Sequence, residues 1–195
     1  PLMINDCVEL GTVFFSVLAR HGFIAKTILI SLKQKNILNQ NEVDKILLNV
    51  NTVASELVDD MSALNHGTLS IKDFMRRYGH LRPGTYDIMS SRYDQMKDFS
   101  PDMNNTQSKN NNKLFNFSKK QFGQINLLLE ENGFGDFSAK NLLTYIYEAT
   151  AGREYGKFIF TRSVSDILEL IAKFSNDIGL TRDEVSHIKI DELLK

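Results

Sequence analysis

The sequence predicts an all-α fold, mostly antiparallel helices in a bundle-like array with little or no sheet. Three observations carry that prediction. Apolar residues recur at helical spacing through most of the chain, capping residues and glycine stops bracket those stretches, and no alternating run is long enough for a substantial sheet.

Residues 6–35 read as helix interrupted at Gly11 and Gly22, with Phe14, Val17, Leu18, Ile24, Ile28, Leu29 and Leu32 at helical spacing. Residues 41–64 give the cleanest signal. Val43, Val50, Leu57 and Leu64 fall seven apart, a narrow seam expected to pack along a neighbouring antiparallel helix. His66-Gly67 should end that helix, and Ser70 should cap a short one through Phe74 and Arg77. After a turn-rich stretch, the Asn-rich segment 100–113 reads as a loop that cannot bury apolar surface. It divides the chain into an N-terminal helical part, 1–99, and a C-terminal helical part, 114–195, of one composite domain. In the second part Phe122, Ile125, Leu128 and Leu129 share a face that Asn132-Gly133 stops. Leu142, Leu143 and Ile146 form the next face, and Val164 through Ile178 a long stripe closed by Gly179. Thr181 and Glu184 match a capping box opening a short last helix. The short segments 86–89 and 157–160 are the candidates for extended structure.

Composition narrows the function classes. Thirteen Phe and six Tyr in 195 residues supply a core, and Lys plus Arg (23) balance Asp plus Glu (24), so no basic field attracts nucleic acid. The single cysteine, Cys7, excludes an internal disulfide and a cysteine metal cluster, which fits a reduced, cytoplasmic setting. No signal peptide is evident and no apolar run looks long enough to cross a bilayer, so no membrane partner is expected. The chain opens at Pro1 and stops at Lys195 just after Leu193-Leu194, which suggests an internal piece of a larger enzyme.

No phosphate-binding glycine loop and no Gly-x-Ser-x-Gly elbow occur, and His21, His66, His80 and His187 lack metal-ligand spacing. No catalytic residue, metal ligand or cofactor site is therefore assigned to this chain. One stretch has chemical promise: Arg76-Arg77-Tyr78-Gly79-His80-Leu81-Arg82-Pro83-Gly84-Thr85-Tyr86-Asp87. Guanidiniums on a glycine-flexed turn suit a phosphate or carboxylate, so Arg77, His80, Arg82, Tyr86 and Asp87 are candidate substrate- or phosphate-binding residues. The alternative is a buried corner in which arginine pairs with Asp87 or Glu154 and the tyrosines pack. Arg153 and Glu154, in Gly152-Arg153-Glu154-Tyr155, lie on a helix and could face that cluster; the alternative there is an exposed or interhelical salt bridge.

The run Arg77-Tyr78-Gly79-His80-Leu81-Arg82-Pro83-Gly84-Thr85-Tyr86-Asp87-Ile88 resembles a motif of the phosphoenolpyruvate synthase and pyruvate phosphate dikinase family, to which rifampin phosphotransferases are related. Arg153-Glu154, Leu180 to Val185 and Ile190 to Leu193 are similar to the region those proteins place before their mobile phosphohistidine domain. The resemblance covers most of the chain. It implies the central helical part of a modular enzyme, a linker or acceptor-binding domain. Its partners would be ATP-grasp and phosphohistidine domains of the same polypeptide and a small-molecule acceptor, with ATP and magnesium bound elsewhere in the parent protein. No histidine here has the small-residue context of a phosphoryl carrier, so the isolated chain is expected to be inactive. The rifampin enzymes have Gly-His-Arg followed closely by an acidic residue. Here Leu81 separates His80 from Arg82, which points to an acceptor other than that antibiotic. A non-catalytic helical spacer or docking module without a small-molecule ligand is the alternative.

Overall fold

A computed structural model describes residues 2–97, 99 and 115–193. The chain is all-α, 72% helical, with no strand among the described residues. Helix α1 (Leu2–Asp6) continues through a π-helical stretch (Cys7–Thr12) into α2 (Val13–Gln34). There follow α3 (Gln40–Leu48), α4 (Val53–Asn65), α5 (Ile71–Tyr78), a 3-10 turn (Tyr93–Gln95), α6 (Lys119–Glu131), α7 (Ala139–Asp177), α8 (Arg182–Ser186) and α9 (Ile190–Leu193). The Asn-rich segment 100–113, expected to be a loop, lies outside the described residues.

Several boundaries differ from the sequence reading, each for a local reason. The helix expected over 41–64 is two helices. Asn49 turns its side-chain amide onto the Lys45 carbonyl at 2.7 Å, and Thr52 and Ser55 exchange hydrogen bonds that start α4. These short polar side chains compete with the helical ladder and win. Gly22 does not interrupt the first helix, and Gly11 lies in the π-helical stretch, through which the helix passes without ending. Each sits where another side chain lies close: a Cβ on Gly22 would come 2.6 Å from Arg153 Cδ, and one on Gly11 2.9 Å from Phe160. Residues 157–160, a candidate for extended structure, lie inside α7, and 86–89 form turns. The stripes on either side of Gly152 belong to this one 39-residue helix. Because the first helix runs unbroken from Leu2 to Gln34, it is long and apolar enough to cross a membrane, with mean hydropathy 1.6. This corrects the expectation that no such run exists.

The chain divides into two compact units that interleave stretches from both sides of the Asn-rich segment. One comprises Pro1–Phe14, Leu57–Thr106 and Lys157–Lys195, and the other Phe15–Glu56 and Gln107–Gly156. The second is organised around Leu29, Ile46, Ile125 and Ile146, all at most 1% exposed, with Leu32, Val43, Leu142 and Leu143 in the same cluster. Its helix starts are tied together. Asn39 and Ser118 cap α3 and α6 through capping boxes whose third members are Glu42 and Gln121. The Gln121 amide also donates to the Ile37 carbonyl at 3.0 Å and to Glu42 at 2.9 Å.

The first unit has a smaller apolar cluster, Ile88, Ala172 and Val185 with Leu168, Ile171 and Ile188 against it. Beside α5 it stacks rings: Phe74 lies 5.0 Å from Tyr78 and 5.4 Å from Phe99, and Tyr93 lies 4.9 Å from Phe99. Gly67, Gly133 and Gly179 take the left-handed conformation that ends α4, α6 and α7, as their positions in the sequence predict.

Candidate functional site

The candidate stretch begins where α5 stops. Ser70 caps that helix by accepting from the Asp73 amide at 3.1 Å, and Gly79 follows its last residue. A Cβ at Gly79 would collide with the Met75 carbonyl oxygen and crowd the Asp94 side chain, so the chain passes here only as glycine. Two backbone bonds, Tyr93 N–H to Leu81 and Asp94 N–H to Gly79, at 2.8 and 3.1 Å, lash the next residues to the 3-10 turn.

Arg82 occupies the centre. Its side chain is 1% exposed, and all of its guanidinium nitrogens are engaged. Nε and Nη2 donate to Ser165 Oγ at 3.3 and 3.0 Å, and Nη2 also reaches the Ser165 carbonyl and Glu169 Oε1. Nη1 donates to the carbonyls of Asp87 and Ser90 at 3.1 and 2.9 Å. Ser165 in turn donates to the His80 carbonyl at 2.6 Å. One guanidinium thus holds the turn 84–90 against α7. A planar fork with five donors is suited to that task, and a lysine is not.

Glu169 is the counter-charge. It accepts from Arg182 at 2.7 Å and Gln95 at 2.6 Å besides Arg82. Burial alone would raise its pKa, but the bonds from Arg182, Gln95 and Arg82 outweigh it and hold the carboxyl at about 2. A second ion cluster adjoins it, in which Arg92 grips Asp94 in bidentate fashion and reaches Asp166 at 2.6 Å.

His80 is 5% exposed and stacks edge-on against Phe158 at 4.8 Å. Burial, with the nearby Arg162 and Arg92 guanidiniums, lowers its pKa to about 4, so the ring is neutral at pH 7. Its Nε2 is buried with no partner among the described residues.

The other candidates are placed differently. Arg77 is half exposed and pairs with Asp60 at 2.9 Å, and the same carboxylate oxygen accepts from the Tyr78 hydroxyl. Tyr86 is exposed. Asp87 is also exposed, and its carboxylate accepts from the Met89 amide at 2.9 Å, so it is the Asp87 carbonyl and not its carboxylate that meets Arg82. Arg153 and Glu154 belong to the other unit, where they pair with each other at 3.4 Å and Arg153 lies over the Phe23 ring at 5.2 Å. The buried arginine therefore pairs with Glu169, which the sequence reading did not single out, rather than with Asp87 or Glu154. Ser165 and Glu169 are four apart on α7, a spacing that places both on one helix face and could have marked them. Among the described residues no group of three or more His, Cys, Asp and Glu is placed to hold a metal ion.

No protein-family model, curated protein or solved structure matches the chain.

Proposed function

We propose that the chain is the central helical part, a linker or acceptor-binding domain, of a phosphoenolpyruvate synthase-like phosphotransferase that moves phosphate from ATP through a phosphohistidine on another domain. The observation that carries this reading is the run Arg77 to Ile88, whose sequence resembles the family motif and whose buried Arg82 holds the carbonyls of Asp87 and, just beyond the run, Ser90. Within the reading, the linker role has the stronger support. Arg82 donates to the protein's own acceptors and His80 is neutral, so neither offers a free cation to phosphate. Arg77, Tyr86 and Asp87 are the candidates of this run at the surface and would make any contact with a visiting ligand.

In this reading ATP and magnesium belong to the ATP-grasp domain of the parent protein, the setting is cytoplasmic, and the partners are neighbouring domains and an acceptor, not nucleic acid or membrane. The test uses the full-length protein with radiolabelled ATP and magnesium. Acid-labile phosphohistidine is expected on a histidine outside residues 1–195, because phosphoryl transfer needs a phosphate cradle and a metal site. Label on this chain, or a reading frame without nucleotide-binding and histidine domains, would refute it.

A second reading, a non-catalytic helical spacer or docking module, is favoured by apolar side chains left in solvent on α2, where Phe14 is 63% and Phe23 59% exposed. A full-length protein that forms no phosphohistidine yet recruits a partner through α2 would support it.

A further inference from the structure

The second unit contains a cavity of about 360 Å3 between α2, α6 and the first turns of α7. Its floor is the core itself, Leu32, Ile125 and Leu142, and Ile28 and Leu128 form walls. The hydroxyls that line it are turned away into the helix: Thr27 donates to the Phe23 carbonyl and Ser31 to the Thr27 carbonyl, both at 2.9 Å. Asn132 likewise donates to the Leu128 carbonyl at 2.8 Å. What remains facing the space is hydrocarbon, with one exception at the mouth.

That exception is Lys35. Among the described residues it is the one charged side chain lining the cavity, it is exposed, and no carboxylate pairs with it. On the rim stands Phe134, 61% exposed although the chain around it is ordered by its own amide bond to the Leu129 carbonyl at 2.8 Å. An apolar recess of ligand size, bounded by an exposed ring and a single unpaired cation, is complementary to a molecule with a hydrocarbon body and one negative end. The volume lies toward the lower end of the roughly 300–1,000 Å3 typical of small-molecule sites.

We infer that this cavity binds a medium-chain carboxylate, its alkyl chain on Leu32, Ile125 and Leu128 and its carboxylate at Lys35. The sign of the charge follows from the lining: among the described residues no acidic side chain is present to receive an amine, and a cation is present to receive an acid. The site lies in a different unit from the Arg82 corner, and the inference does not depend on the phosphotransferase reading.

Octanoate, octanol and octylamine, which share one chain and differ in head-group charge, test it by calorimetry and methyl NMR on residues 1–195. Octanoate should bind saturably below about 1 mM with shifts at Ile28, Leu128 and Leu142, octylamine at least ~10-fold more weakly, since opposite charges attract and like charges repel. Lys35→Gln should weaken octanoate about tenfold and leave octanol unchanged, because it removes the charge pair while keeping the apolar walls. Leu128→Trp should abolish all binding by filling the space; should that variant fail to fold, Lys35→Gln still decides the matter. Absence of saturable octanoate binding, equal affinity for octanoate and octylamine, indifference to Lys35→Gln, or shifts confined to the exposed face of α2 would each overturn the assignment.

Discussion

Among the described residues, thirteen buried apolar ones join in one cluster around Ile46, Ile125 and Ile146; the cluster of the Arg82 unit has three, and there a buried guanidinium is bonded to serine, glutamate and carbonyl acceptors. Burial of hydrocarbon is non-directional and tolerates small adjustments. A buried arginine is neither. Its desolvation is offset only while every partner stays in place, and loss of one partner leaves charge or polar atoms stranded. The two units are thus vulnerable to different insults, and the contrast can be broken experimentally.

The largest effect should come from Arg82→Ala. Six hydrogen bonds disappear and the 84–90 carbonyls lose their donors, at a cost of about 3–5 kcal/mol. Amide exchange should accelerate over 71–97 and 157–193 while the amides of 25–48 stay protected, because local stability follows local contacts. Uniform acceleration would show that the units do not differ as described. Ile146→Ala, at 0% exposure, should cost about 3 kcal/mol through lost burial and a residual void, with the reverse pattern of exchange.

Acid gives a smaller, one-sided effect. His80 is held neutral, so its contribution is complete above its ordinary pKa of 6.5 and is lost as pH falls from there to about 4. Glu169 is held ionised, so its contribution is complete above 4.5 and is lost between there and about 2. Both groups belong to the Arg82 unit. Between pH 6.5 and 4 that unit should lose about 3 kcal/mol through His80, since one pKa unit is worth about 1.4 kcal/mol. His80→Phe should flatten this part of the profile, as read by denaturant titration at stepped pH. A profile unchanged by the substitution would remove His80 from the account.

Much of the fold was legible because its signals are local. The glycine stops at 67, 133 and 179, the Ser70 cap and the Thr181 capping box depend on a few neighbouring residues, and the structure has each where the sequence predicts it. What could not be read depends on distant partners. Gly11 and Gly22 looked like breaks because their reason lies at Phe160 and Arg153, far along the chain. The heptad from Val43 to Leu64 concealed a break because Asn49 and Thr52 sit between its apolar positions. In the candidate site, residue types were visible but their orientation was not. Arg82 reads the same whether it faces solvent or Ser165, and only the acids and hydroxyls of α7, some eighty residues away, decide.

The junction at Gln121 bears on how such a chain can change over generations. Its amide accepts from the Ser118 backbone through one atom and donates to Ile37 and Glu42 through the other. Glutamate would serve the cap of α6 equally well by the general preference at that position. Here it would set a carboxylate against Glu42 and a carbonyl, acceptor facing acceptor. Glu42, for its part, caps α3 with its second oxygen and cannot be exchanged without disturbing that start. Positions 42 and 121 therefore form a single inherited choice: drift at one is tolerated only with a matching change at the other, and variants of this chain should show the two residues altering as a pair.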